Sequence, residues 1–453
     1  MSAVVIALLA ASLSPVATLA GTQGTTPIVY RADPPRKLVF AATAAADTAL
    51  PTPSQCEALF GVACYTPQLV RTAYNVPSTL TGAGQTIVIV DAYGSPTIQS
   101  DLHIFDQIFG LPDAQLNIFY PDGRPAFNVN NSIEVGWAGE TTLDVEWSHA
   151  IAPEATIDLV IASSELGNDL NIAERYAVDN HLGNVMSLSF GAAEAAIAGG
   201  GNNVQLRQQE QIYQAAKTAG ITVIAAAGDW GDANVGFTYV PGGAPHTSGP
   251  NPIYPASSPN VLAVGGTYLF AGDGGAYGSE TAWNDQDPNL CPFGCRYFGQ
   301  FPFTLATGGA PSLIFPTPSY QQGITGYTMR TTADVAYNAS LYTAVLSYVG
   351  YFPDPSLDGI YFNAGTSEGA PQWAGVIALA DEAAGRALGF VNPTLYGILA
   401  KPATYAADFH DVTVGNNEVP YPGCCYSAGT SYDLPTGLGT PNVANLIKTL
   451  AGR

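Results

Sequence analysis

Short apolar runs recur along this chain at residues 85–91, 156–162, 184–190, 221–227 and 261–264, and stretches of helical composition lie between them. Strand and helix signals that alternate in this way predict an α/β fold, with a mostly parallel central sheet and helices on both faces. Residues 173–180 and 204–219 are the crossover candidates. The second of these closes with Lys217 and Gly220, as a helix stop should. Active sites of open parallel sheets lie beyond the carboxyl ends of the strands, so the residues just after each run are the first to inspect. No internal repeat is present.

Residues 1–20 form an almost uncharged apolar stretch ending in small residues, which predicts a signal peptide and a secreted protein. No Lys or Arg lies near Met1, so a late start or a retained membrane anchor are the alternatives. Residues 21–65 are rich in Ala, Thr and Pro and show no sustained period. They read as a linker or the remnant of a pro-segment, with the folded domain spanning 66–453. Fourteen basic against 36 acidic residues give a net charge of −22, which disfavours nucleic acid and anionic membranes as partners. Few basic groups also suit an acidic milieu, where carboxylates neutralise and cations do not. No heptad or apolar strip demands self-association, so a monomer is expected.

Six cysteines in an exported chain point to disulfides rather than metal. Cys56 with Cys64 and Cys291 with Cys295 pair by proximity, while the adjacent Cys424 and Cys425 remain to pair together or elsewhere. A zinc site would need a paired CxxC pattern or nearby His, and neither is present.

Three stretches carry candidate chemistry. Gly365-Thr366-Ser367-Glu368-Gly369-Ala370-Pro371 follows an extended segment and precedes a helix-forming stretch, 373–387. It puts Ser367 at a helix N-terminus, where free N–H groups and the dipole favour developing negative charge. Simple helix capping by Thr366 or Ser367 is the plainer explanation of that spacing. A serine needs a base, yet none of His103, His149, His181, His246 and His410 is followed by glycine, so a subtilisin-like use of Asp91 with a His-Gly segment has no partner. Asp91 then reads as a strand-end structural residue. Glu140 and Asp144 are four apart in a stretch that reads as a helix ending before Pro153. On one helix face they repel, one pKa rises, and a proton becomes available for acid–base work. Taken alone, such spacing also describes a solvated helix face. Finally, Gly228-Asp229 ends a buried-looking strand, and a protonated carboxyl there could donate to an oxyanion, although a turn aspartate would look the same.

Together, Glu140-x-x-x-Asp144, Gly228-Asp229 and Gly365-Thr366-Ser367-x-x-x-Pro371 resemble the sedolisin, or serine-carboxyl peptidase, family. Residues 185–191, 280–284 and 436–442 resemble it too, and the likeness spans roughly 66–450. It implies a subtilisin-like α/β fold and an acid endopeptidase acting on polypeptides. By that likeness Ser367 is the nucleophile, Glu140 its base, Asp144 the residue that tunes Glu140, and Asp229 part of the oxyanion hole with the Ser367 N–H.

The resemblance also implies one structural Ca2+ near the C-terminus, held by Asp411 and Asp433 with the carbonyls of Val412, Gly429 and Ser431. Three positions depart from the family pattern. Ser431 stands where glycine is usual, Trp230 follows Asp229 where serine is usual, and Glu368 follows Ser367 where small residues are common. The family's pro-domain does not fit in residues 21–65, so it is expected upstream of the start, lost, or replaced by another folding route. Two rival readings remain at this point: a non-catalytic descendant that binds peptides along 187–191, and a subtilisin-type enzyme using Asp91 with a histidine.

Overall fold

The structure, a computed structural model, describes residues 27–32, 36–41, 50–197, 199–232, 234, 249–285, 305–419 and 426–452. The signal stretch, His246, Cys291, Cys295, Cys424 and Cys425 lie outside the described residues.

Regular structure starts earlier than the composition of 21–65 suggests. Strand β1 (Arg36–Ala41), helix α1 (Pro53–Phe60) and strand β2 (Ala63–Tyr65) all fall within that stretch, ahead of α2 (Pro67–Ala73). Elements of three to eight residues are too short to show a period, so composition concealed them. Local chemistry still explains α1: Thr52 and Gln55 cap each other reciprocally, Pro53 occupies the first turn, and Gly61 closes the helix in the left-handed region. The Cys56–Cys64 disulfide, expected from proximity, ties α1 to β2 across 5.8 Å between Cα atoms.

The apolar runs become strands because both of their faces are covered. In β3 (Thr86–Ala92), Ile87 and Ile89 point into one core while Val88 and Val90 point into another, as the two-residue repeat of a strand requires. Each such burial contributes roughly 1.5–3 kcal/mol, which an uninterrupted apolar run realises only between two layers. Five further strands run parallel with β3: β4 (Gln115–Phe119), β5 (Thr156–Ala162), β6 (Val185–Leu188), β7 (Thr222–Ala226) and β8 (Leu262–Ala271). Antiparallel β9 (Tyr277–Ala282) closes one edge, giving the order β9-β8-β7-β6-β3-β5-β4, and β10 (Val335–Asn338) pairs parallel to β8. The expected α/β sheet is therefore present, and its strands lie within a few residues of the apolar runs, β8 continuing past 264 to Ala271.

Helices cover both faces, as expected. One core joins α3 (Ile98–Phe109), α4 (Ser132–Ile151) and a later helix, α7 (Thr366–Ala384); the other joins α5 (Gly167–Asp179) and α6 (Val204–Ala219). A second sheet, in the order β1-β12-β11-β2, was not foreseen. It adds β11 (Thr343–Val349) and β12 (Gly359–Asn363), and β12 leads directly into the turn that presents Ser367. Among the described residues, no helix is long and apolar enough to cross a membrane.

Candidate active site

Helix α4 carries two of the candidate carboxyls. The Asn131 side chain caps its start by accepting from the Ile133 N–H, and the helix ends just before Pro153. From Gly136 to Ile151 every residue is buried, so this is a core helix and not the solvated face that its charges could describe. Burying such a helix requires partners for its polar groups. Glu146 accepts from the Tyr348 N–H at 3.0 Å, and the Trp147 indole donates to the Leu346 carbonyl at 3.1 Å.

The serine arrives on α7. Gly365 precedes that helix with φ 106°, a conformation that an L side chain resists, and this turns the chain sharply out of β12. Ser367 is then the second helical residue, and its N–H has no acceptor within the helix. Further along, Pro371 lies inside the helix and has no N–H for the Ser367 carbonyl. The Ser189 hydroxyl lies 3.5 Å from that carbonyl and 2.8 Å from Asp144 Oδ1. Ser189, the last residue but one of the expected strand 184–190, thus links the carboxylate helix to the nucleophile's backbone. The same run also holds Asn184 and Ser187, so polarity alone does not single out Ser189.

Asp229 follows β7 and fixes the start of α7. Its Oδ1 accepts from the Thr366 N–H at 2.7 Å and from the Thr366 hydroxyl at 2.8 Å, while that hydroxyl accepts from the Gly228 N–H at 3.0 Å. So Thr366 is the residue tied to Asp229, and the neighbouring Ser367 hydroxyl is left for other work. Trp230 turns away and packs beside Trp283, Tyr268 and Val419. Glu368 also faces away: it accepts from the Asn338 amide at 2.9 Å, and its buried carboxyl is pushed well above the usual range.

Electrostatics bind these groups into one cluster. Burial pushes the Glu140 carboxyl well up, the charges of Asp144, Asp91 and Asp229 push it further, and the nearby Ser367 hydroxyl holds it back. Neither Glu140 oxygen has a hydrogen bond of full geometric quality, so the Ser367 contact is a close approach rather than a formed bond. Asp144 is likewise driven up by burial and then by Asp91, against the Ser189 hydroxyl. Asp229 has a partly open surface, yet the surrounding protein raises its pKa against the two Thr366 donors. Asp91, read from sequence as a structural strand-end residue, contributes charge to both Glu140 and Asp144. It is itself pushed up to about 7 by burial, with Thr141 opposing. Ser367 is 8% exposed whereas Glu140, Asp144 and Asp91 are fully buried, so an incoming molecule meets the serine and not the acids behind it.

The four described histidines are engaged elsewhere. His149 bonds Asp106 and the Pro112 carbonyl, His103 bonds Asp113, His181 bonds Asn184, and His410 stacks on Tyr277. A serine with no histidine partner among the described residues, set against a group of buried carboxyls, points away from an imidazole base.

Residues 126–399 match the profile of the subtilase family, Peptidase_S8, a span that includes Glu140, Asp144, Asp229 and Ser367. The chain belongs to the subtilase family. Within it the likeness is to the sedolisins. It is 32% identical over 396 residues to kumamolisin of Bacillus sp. (strain MN-32), covering 85% of this chain and 63% of that one. It is 29% identical over 387 residues to sedolisin of Pseudomonas sp. (strain 101), covering 84% and 60%. Tripeptidyl-peptidase 1 of Rattus norvegicus is 28% identical over 418 residues, covering 85% of this chain and 64% of that protein. The chain therefore spans roughly three fifths of the length of these relatives. Among solved structures, Pseudomonas sedolisin complexed with two molecules of pseudo-iodotyrostatin superposes with a TM-score of 0.72 at 27% identity, covering 86% of this chain and 99% of that one.

The loop expected to hold calcium brings Asp411 and Asp433 together. The Ser431 N–H donates to both Asp411 oxygens, at 3.1 and 3.0 Å, and the Gly429 N–H donates to Asp433 at 2.9 Å. Burial raises Asp433 to about 7 despite three donors, and the Asp411 charge adds to that. Among the described residues no three His, Cys, Asp or Glu side chains cluster as metal ligands. A cation here would therefore depend on backbone carbonyls as well as on the two acids, which is a donor set of hard oxygens that fits Ca2+. Ser431 has φ 68°, so the departure from glycine does fall at a left-handed position.

Proposed function

We propose that this chain is a secreted, acid-active serine-type endopeptidase that cleaves polypeptides through an acyl-enzyme on Ser367. The observation that carries the reading is the approach of the Ser367 hydroxyl to a buried cluster of mutually repelling carboxyls in a chain whose described histidines all face elsewhere. Ser367 Oγ attacks the peptide carbonyl carbon and its proton passes to Glu140. Asp144 and the Ser189 hydroxyl position Glu140 and the Ser367 backbone. The oxyanion accepts from the Ser367 N–H and from the protonated Asp229 carboxyl. Collapse breaks the C–N bond, and Glu140 returns its proton to the leaving amine. Water, deprotonated by Glu140, then releases the acyl group and Ser367 regains its hydrogen.

Two requirements oppose each other. The Glu140–Asp144 pair must hold one negative charge, which is lost as pH falls, and Asp229 must hold a proton, which is lost as pH rises. Burial raises the pKa values of all three, and the two requirements are met together only where the pair loses its first proton before Asp229 does, so the profile is a bell whose limbs belong to the cluster.

Residues 1–20 act as the signal, and the peptidase domain spans 66–453 together with the elements at 36–65. Asp411, Asp433 and the carbonyls of Val412, Gly429 and Ser431 would hold one Ca2+, which supplies charge neutralisation and a cross-link in the loop.

The deciding experiment is cleavage of denatured casein from pH 2 to 8 by the wild type and by Ser367→Ala, with the products sized by mass spectrometry. Internal fragments formed in acid by the wild type alone are expected. Undiminished cleavage by Ser367→Ala would reject the nucleophile, and release of tripeptides only would reject the endopeptidase.

A further inference from the structure

We infer that Glu368 is a positioning residue for the nucleophile: with Asn338 it pins the first turn of α7 to the end of β10, as Thr366 and Asp229 pin that turn to the residues after β7. The inference rests on the peptidase reading for the role of Ser367, and on side-chain contacts for the pin itself.

Ser367 lies between two fixed neighbours. Before it, Thr366 bonds to Asp229 through both its N–H and its hydroxyl, and that hydroxyl accepts from the Gly228 N–H. After it, the Glu368 N–H donates to the Gly365 carbonyl at 2.9 Å, and Glu368 Oε1 accepts from the Asn338 amide at 2.9 Å. The turn thus spends the N–H groups on either side of Ser367 on its own geometry, whereas the Ser367 N–H has no acceptor within the helix and is left to meet an oxyanion. One turn on, the Gln372 amide donates to the Glu368 carbonyl at 3.1 Å. Gly369 lets the turn lie directly on the sheet, since a Cβ there would come within 2.9 Å of Val264 and 3.0 Å of Tyr337.

Asn338 is not free to swing away from Glu368. Its Nδ2 also donates to the Thr343 carbonyl at 2.6 Å, and its Oδ1 accepts from the Thr343 hydroxyl at 2.8 Å and the Leu269 N–H at 3.0 Å. Its own N–H donates to the Tyr74 hydroxyl at 2.9 Å, and Tyr74 donates in turn to Glu280 Oε1 at 2.7 Å. The Thr267 hydroxyl meets the same oxygen at 2.7 Å. The pin is therefore anchored in β8, β9, β10 and β11 together.

Glu368 serves in this way while its carboxyl is neutral. It is fully buried, its Oε2 has no partner of good geometry, and burial holds its pKa well above the usual range against the Asn338 and Gln372 amides. The phenols of Tyr65, Tyr74 and Tyr337 feel its charge, with Glu280 behind Tyr74. Arg71, whose charge reaches Tyr337, gives its donors to the Ala150 and Ile151 carbonyls at the end of α4. A negative charge one residue past Ser367 would repel the oxyanion across a poorly screened interior. Glutamate in acid avoids that charge and still reaches Asn338, which a small side chain at this position does not.

The test compares Glu368→Gln, Glu368→Ala and Glu368→Met with their parent, as full chains in acid. Glu368→Gln keeps the acceptor without a charge, Glu368→Ala removes it, and Glu368→Met fills the space without one, so a packing defect is separated from loss of the pin. On an internally quenched peptide taken from a casein cleavage site, kcat should fall at least about tenfold in Glu368→Ala and Glu368→Met with KM within about twofold, because a misplaced nucleophile loses rate rather than affinity. Glu368→Gln should match the parent. In the Ser367→Ala background, which cannot digest itself, amide hydrogen exchange in the first turn of α7 should quicken at least about tenfold in the same two variants and not in Glu368→Gln. Parent-like kcat and exchange in both Glu368→Ala and Glu368→Met overturn the pin, and so does a Glu368→Gln as impaired as those two. Faster exchange in those two with no cleavage by any Ser367 form, the parent included, would instead reject the peptidase and leave the pin standing.

Discussion

Replacing Asp91 with Asn should make the protein more resistant to heat at neutral pH while changing it little in acid. Asp91 is fully buried at the end of β3, and neither of its oxygens has a hydrogen bond of good geometry. Its carboxyl is raised from 3.8 to about 7 by burial, against the Thr141 hydroxyl. Between those values the folded protein retains a proton that the unfolded chain has released. The folded state therefore binds more protons, and stability falls as pH rises through the window. At 1.36 kcal/mol per unit, about three units amount to roughly 4 kcal/mol, fully present below pH 3.8 and lost above about pH 7. Asn cannot ionise and escapes that loss. With an unfolding entropy of about 2.1 cal/mol/K per residue, a chain of this length converts 4 kcal/mol into a Tm difference of about 4–5 °C. Differential scanning calorimetry of Asp91→Asn against its parent, both in the Ser367→Ala background, from pH 3.5 to 8 measures it. Two melting profiles that stay parallel across the range would refute the reasoning, because they would mean that Asp91 ionises as freely in the fold as in the unfolded chain.

Glu140→Gln preserves shape and removes the base, so kcat should fall by about 10²–10⁴ with KM and the circular dichroism spectrum nearly unchanged. Undiminished turnover would sink Glu140 as the base. Ser431→Gly relieves a left-handed φ of 68° and should stabilise the protein by about 1 kcal/mol in chemical denaturation, whereas Ser431→Ala should not. If the same loop holds Ca2+, EDTA lowers the Tm of the wild type and has no effect on Asp433→Asn.

Much of the central sheet was legible because a strand covered on both faces must be apolar throughout, and residues 85–91 and 156–162 have no other use for that pattern. The second sheet was not. β2 and β12 are three and five residues long, and their pairing with β11 and β1 joins segments that are distant in sequence. Sequence spacing also put Glu140 and Asp144 on one helix face correctly, but it could not distinguish a core helix from a solvated one, because that depends on what packs against α4. Ser189 and Asp91 escaped for a related reason. Each sits in a strand run where a polar residue could face anything, and only the meeting of β3, β6, α4 and α7 brings Ser189 to the Ser367 carbonyl and Asp91 near Glu140 and Asp144.

Sequence alone determined the local facts: alternating strands and helices, a serine at a helix N-terminus after a glycine turn, two acids four residues apart, a proline that leaves the Ser367 carbonyl without its helical N–H, and no histidine in a base motif. These follow from covalent chemistry and from periods of two and four residues, which act over short range. Tertiary structure decided which groups share a charge. The pKa values of Glu140, Asp144, Asp91 and Asp229 rise through burial, and those of Glu140 and Asp144 also through the charges of acids on other elements, while residues 27–32 find their slot between two distant loops. Desolvation and long-range pairing are properties of the packed interior, where charges remote in sequence share one poorly screened space.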